Sequence, residues 1–213
     1  MRLRTLITSL LLTLVAATPA LAQSGFYLSA FAGTQYLEDS KLRAAGVRDI
    51  NVEFDWGSHA GFSLGYNTGR QFSTRDNVTG RLEVEFAVRN NDVDAIEVNQ
   101  RFEPRGGEMK VTSLMANSWI DIRTNTPFVP FFGIGLGAAR LNFDNAGFAD
   151  DSDTRFAYQI GAGVGLPVGR HLNFDLGYRY FATLDPTFTD PDGVRNEVDY
   201  ATHNLTFGVR LGF

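Results

Sequence analysis

The chain has 213 residues, 19 Lys and Arg against 24 Asp and Glu, a formal charge of −5, and no cysteine. The acidic balance excludes a nucleic-acid partner, which wants a basic face, and the lack of cysteine excludes the disulfide framework that many small secreted domains rely on. Eighteen Phe and 22 Gly at middling hydropathy are odd for a soluble fold and suit strands that face lipid on one side and a crowded interior on the other.

The first segment reads as a targeting signal. Arg2 and Arg4 form a short basic region, residues 6–17 are apolar apart from Thr8, Ser9 and Thr13, and Ala20 and Ala22 supply the small residues of a peptidase site. This layout predicts a secretory signal peptide over residues 1–22, cleaved after about Ala22. The alternative, a membrane anchor, is disfavoured because the run is shorter than the roughly 18–20 residues of a helical span. The remaining 23–213 reads as one domain, with 17 basic against 24 acidic residues and a formal charge of −7. No later apolar run approaches helical length, so a membrane crossing by this chain would use strands.

Eight strands are predicted in order: 25–34, 58–67, 80–90, 111–122, 128–142, 155–168, 171–183 and 200–213. Most exceed the five or six residues of a usual globular strand and match a tilted membrane crossing of about 9–11 residues with overhang. Alternation carries the assignment. The third strand opposes Leu82, Val84, Phe86 and Val88 to Arg81, Glu83, Glu85 and Arg89. The fifth opposes Phe132, Ile134, Leu136 and Ala138 to Phe131, Gly133, Gly135 and Gly137. The sixth sets Phe156, Tyr158, Ile160, Ala162, Val164 and Leu166 against Gln159, Gly161, Gly163 and Gly165. The seventh sets Leu172, Phe174, Leu176, Tyr178 and Tyr180 against Asn173, Asp175, Gly177 and Arg179. The eighth sets Leu205, Phe207, Val209, Leu211 and Phe213 against Asn204, Thr206, Gly208, Arg210 and Gly212. The first, second and fourth are less regular, and the phase of Tyr27 and Phe31 stays open.

A soluble sandwich or lipocalin-like barrel also alternates. Here, however, the polar face is rich in glycine as well as charge, and the apolar face carries aromatics near strand ends, as a membrane barrel requires. Connection lengths agree: 35–57, 91–110, 143–154 and 184–199 are long, whereas 68–79, 123–127 and 169–170 are shorter. The fold class expected is all-β, an eight-stranded antiparallel up-and-down transmembrane barrel with both termini periplasmic.

Thr206, Gly208, Leu211 and Phe213 resemble the C-terminal insertion signal of outer-membrane barrels. Residues 80–86 (GRLEVEF), 129–137 (VPFFGIGLG) and 174–180 (FDLGYRY) resemble the opacity-protein and surface-antigen family of small, porin-like outer-membrane barrels. The resemblance implies a bacterial outer-membrane location, an assembly machinery as partner for the last strand, and lipopolysaccharide and other outer-membrane lipids as surroundings. It does not name a ligand for the loops.

The candidate site is the lumen face. Arg81, Arg89, Arg179 and Arg210 face Glu83, Glu85, Asp121 and Asp175, four charges of each sign. Either they line a selective pore or they fill a narrow barrel as an ionic network; buried charges persist only when paired, and eight strands leave room for little but side chains, so the network is preferred. Trp119 is read as lumen packing and Trp56 as an interface anchor. Arg140 is predicted to snorkel from the lipid face, in reach of a lipid phosphate. The acids Asp144, Asp150, Asp151 and Asp153, and Asp185, Asp190, Asp192, Glu197 and Asp199, lack the ordered spacing of a calcium loop. His59, His171 and His203 show no triad spacing, although His203 with Thr202 and Asn204 is the place to look for lipid A-modifying catalysis. The reading is a non-enzymatic surface protein without cofactor or metal, with a passive channel for solutes and a lipid A-modifying enzyme as rivals.

Overall fold

The computed structural model describes residues 25–37, 40–42, 50–54, 56–69, 77–98, 101–103, 107–145, 152–184, 187–189, 195–197 and 200–213. The expected signal peptide, with Ala20 and Ala22, and Asp150, Asp151, Asp185, Asp190, Asp192 and Asp199 lie outside the described residues.

Eight long strands form the wall: β1 (Phe26–Leu37), β2 (Trp56–Gly69), β3 (Val78–Val98), β4 (Gly107–Ile122), β5 (Val129–Asn145), β6 (Ser152–Val168), β7 (Leu172–Thr183) and β8 (Ala201–Gly212). Each pairs antiparallel with the next in sequence. The wall closes where β1 pairs with β8, from Tyr27 opposite Gly212 to Leu37 opposite Thr202. Closure leaves the wall no open edge, so backbone donors and acceptors are satisfied within it, which a lipid environment demands.

Period-two alternation sets what faces where. Phe62, Leu64, Val84, Leu114, Ile134, Ile160, Leu176, Leu205 and Phe207 all point outward and are exposed. An apolar belt of this extent would be a severe liability in water and is the ordinary surface of a barrel in lipid. The ten residue steps from Phe156 to Leu166 on β6, at about 3.3 Å each and a tilt of about 40°, rise roughly 25 Å. That matches the height of the apolar band of outer-membrane barrels. Tyr27 and Phe31, whose phase the sequence left open, point inward and are 3% and 7% exposed.

Strand lengths depart from expectation at one end. β3 runs to Val98 rather than stopping at residue 90, and β4 begins at Gly107. Short strands Ser40–Leu42 and Ile50–Phe54 pair with each other, Ile50–Phe54 also pairs with β3, and Arg101–Glu103 folds back on β3 at Ile96–Val98. Much of the first two long connections is thus strand rather than irregular loop. The sustained apolar alternation that marks the wall strands is absent from the sequence there. A separate hairpin, Thr187–Thr189 with Arg195–Glu197, lies in the last long connection. At the opposite end two of the connections are tight: Gly169 turns at φ +72°, and the Thr124 hydroxyl donates to the Phe128 carbonyl at 2.7 Å.

Candidate functional site in the barrel interior

The inward face is stacked in tiers. Nearest the tight turns, the Arg81 guanidinium meets Glu83 at 3.0 Å and Asp121 at 2.8 Å. Arg210 meets Asp175 at 2.9 Å and approaches Asp121 at 3.8 Å. Glu83 also accepts from the Tyr27 hydroxyl and from the Trp119 indole N–H, the latter at 2.9 Å. Register explains why these residues converge: Thr79 lies opposite Asp121 and Arg81 opposite Trp119 across β3 and β4, and Asp175 lies opposite Gly208 across β7 and β8.

One tier farther in, Glu85 is fully buried. It receives Arg179 at 2.6 Å and the Asn117 amide at 3.0 Å. Gln159 donates to the Asn117 side-chain oxygen at 2.7 Å. The Arg179 guanidinium carbon lies 4.7 Å from the Phe31 ring centroid and 5.1 Å from that of Trp119. The rings of Trp119 and Phe131 meet edge-on at 5.7 Å and fill the middle of the lumen. Glycine makes room for them. A Cβ at Gly133 would stand 2.5 Å from Trp119 Cε3, and one at Gly163 would stand 2.5 Å from Phe131 Cζ.

The third tier departs from the expectation of a polar lumen throughout. Leu37, Met109, Val111, Met115, Leu141, Phe181 and Tyr200 form a buried apolar cluster with Ala139 and Ala157 at the end carrying the long connections. Arg89 belongs here rather than to the ionic lattice. It is 2% exposed, donates to Ser113 Oγ at 2.8 Å, and lies face-on to Phe181. Among the described residues no carboxylate comes within ion-pair distance of it. The balanced count of charges hid this separation, because it says nothing about height along the barrel.

Between the first two tiers a cavity of about 20 Å³ is lined by Ser29, Phe31, Arg81, Glu83, Trp119 and Arg179 among others, room for about one water. A wider opening of about 290 Å³ lies at the tight-turn end, beside Arg123, Arg170 and Arg210.

The remaining candidates sit apart from one another. His59 is inside, bonded to Thr206 Oγ1 at 2.9 Å. His171 is in a tight turn, against the Gly212 carbonyl at 3.1 Å. His203 lies on the outward face, hydrogen-bonded to the Tyr178 hydroxyl and 5.3 Å from the Tyr180 ring, while Thr202 and Asn204 are turned inward and buried. Trp119 is buried at 1% and Trp56 is 68% exposed. Gly208 faces the lumen, Leu211 is exposed outside, and the Phe213 N–H donates to the Phe26 carbonyl at 2.9 Å.

A closed eight-strand antiparallel wall, an outward apolar belt and a packed polar interior are the features of an outer-membrane barrel, and the family model described as "Outer membrane protein beta-barrel domain" matches residues 8–213. The chain belongs to that outer-membrane family. An uncharacterized protein of Brucella abortus is 28% identical over 160 residues, covering 63% of this chain and 56% of that protein; the chain therefore spans little more than half the length of this relative. A putative adhesin of Rickettsia prowazekii is 22% identical over 88% of this chain and 87% of its own. The crystal structure of Neisserial surface protein A superposes with a TM-score of 0.57 at 22% identity, over 89% of this chain and 98% of that one, which establishes likeness of fold. The barrel is a protein of the bacterial outer membrane.

Proposed function

We propose that the protein is a non-enzymatic surface barrel, a filled scaffold that holds its four long connections outside the cell and keeps both termini in the periplasm. The filled interior carries this reading. The void beside Glu83 and Arg179 measures about 20 Å³, and the apolar cluster from Leu37 to Tyr200 closes the lumen beyond it. Conduction needs a continuous wet path through the barrel, and Trp119, Phe131 and this cluster stand across it. Single-channel recording in planar bilayers tests the point: no conductance steps are expected, and reproducible steps would replace the scaffold by a passive channel.

The long connections are where function varies on such a frame, and the relative named a putative adhesin supports an outside partner for them. Cells displaying the full chain are expected to bind surfaces that cells displaying a variant with residues 40–54 and 187–197 replaced by short Gly-Ser turns do not. Equal binding would remove the adhesive role. Thr206, Gly208 and Leu211 on β8, with Phe213 directly after it, are assigned to recognition by the assembly machinery, since this strand must pair before the wall can close.

A further inference from the structure

At the tight-turn end the barrel opens into a vestibule of about 290 Å³, close to the roughly 300 Å³ at which pockets begin to hold small molecules. Three separate strand ends supply its positive charge. Arg123 directly follows β4, and its amide donates to the Asn77 carbonyl at 2.7 Å. Arg170 follows Gly169 in the turn between β6 and β7. Arg210 comes from β8 and is held by Asp175 at 2.9 Å. Arg123 and Arg170 are exposed. Among the described residues no carboxylate, the chain terminus at Phe213 included, lies within ion-pair distance of either. Asp121 lines the same vestibule and is 6% exposed. Its Oδ2 pairs with Arg81 at 2.8 Å, whereas its Oδ1 is buried and accepts no hydrogen bond among the described residues. Buried polar atoms are ordinarily satisfied, so this end of the barrel combines two exposed guanidinium groups with a buried acceptor that has no donor. Pro167 and Leu172 add an apolar flank.

We propose that this vestibule binds the free C-terminal end of a peptide in the periplasm. The terminal carboxylate goes to Arg123 and Arg170, because the planar guanidinium fork matches two carboxylate oxygens. The amide N–H beside that carboxylate donates to Asp121 Oδ1, and the last side chain rests against Pro167 and Leu172. Sulfate or a phosphodiester would satisfy the arginines but bring no donor to Asp121. A peptide end carries the anion and the donor side by side, which is the pairing that the vestibule presents. Binding itself is independent of the scaffold reading; only the compartment rests on the orientation proposed above, with the tight turns in the periplasm.

Isothermal titration of the folded full chain, in uncharged maltoside micelles, with acetyl-Ala-Ala-Ala tests it. Saturable binding is expected. The same peptide with its C-terminus amidated should bind about tenfold more weakly, as loss of a charge-assisted contact implies. An ester analogue, in which oxygen replaces the last amide N–H, should also bind more weakly, because it cannot donate to Asp121. Sulfate alone should not compete at equal concentration. Arg123→Gln/Arg170→Gln should weaken binding about tenfold with the unfolding temperature unchanged, since both side chains are exposed. Arg123→Lys/Arg170→Lys should retain most of it, which separates lost charge from damaged folding. Absence of saturable binding, undiminished binding in the neutral variant, or equal affinity for the amidated peptide, the ester or sulfate overturns the proposal. Micelles leave both ends of the barrel accessible, so the orientation is judged separately, by labelling a cysteine placed at residue 189 in intact cells.

Discussion

The guanidinium carbon of Arg89 lies 3.7 Å from the centroid of the Phe181 ring, and the two residues come from β3 and β7, on opposite sides of the closed wall. A cation in contact with an aromatic face in a dry setting is worth about 2 kcal/mol. Phe181→Leu keeps an apolar side chain and removes the π face, so it is expected to lower unfolding stability by about 2 kcal/mol. Arg89→Met keeps length and apolar packing and removes a buried charge that has no carboxylate within ion-pair distance among the described residues, so it is expected to be neutral or stabilising. Urea titration in vesicles measures both; a large loss in Arg89→Met would show that its charge is held by the network after all.

Glu85 and Arg179 offer the contrasting case, a buried pair at 2.6 Å. Removing one partner leaves the other uncompensated, so Glu85→Ala should cost about 3–5 kcal/mol. The double variant Glu85→Met/Arg179→Met should recover much of that loss. A double-mutant cycle with no coupling between the two positions would contradict the pairing.

At Gly133 the backbone carries Trp119. A Cβ there would stand 2.2 Å from the Ser118 carbonyl oxygen and 2.5 Å from the indole. Gly133→Val is therefore expected to lose at least 1–3 kcal/mol through overpacking and to shift the emission of Trp119 to longer wavelength as the ring is displaced toward water. Unchanged fluorescence and stability would show that the indole does not lie over this glycine.

The direction of the apolar face has its own test. Ile134, 59% exposed and central in the outward belt, should tolerate Leu with little change. Ile134→Lys should cost about 2–4 kcal/mol in a bilayer. A lysine accepted there without loss would mean that the belt does not face hydrocarbon.

Alternation alone makes most of the wall legible in the sequence. Leu82 through Val88, and Leu205 through Phe213, name their outward face because lipid accepts little else. The inward face was read by elimination, and that works for charge but not for partnership. Sequence placed Arg89 and Arg179 on the same face, and only the register of eight strands tells that Arg179 reaches Glu85 while Arg89 reaches Phe181. The apolar tier was hidden for a related reason: Met109, Val111 and Met115 come from the irregular fourth strand, where small polar residues such as Ser113 and Asn117 share the inward phase. Beyond residue 90 the period-two signal fades from the sequence, although the backbone continues to pair with β4 as far as Val93 opposite Gly107.

Seven of the eight seams in the wall join strands that follow one another along the chain; the eighth joins Phe26–Leu37 to Ala201–Gly212. Seven are hairpins with short sequence separation, and one contact spans almost the whole polypeptide. Non-local pairing of this kind is slow, because the entropy of bringing distant segments together is spent before any contact rewards it. The kinetic consequence is a chain that can wind most of its wall early yet remains an open ribbon, with Phe26–Leu37 waiting as a bare edge, until its final dozen residues arrive.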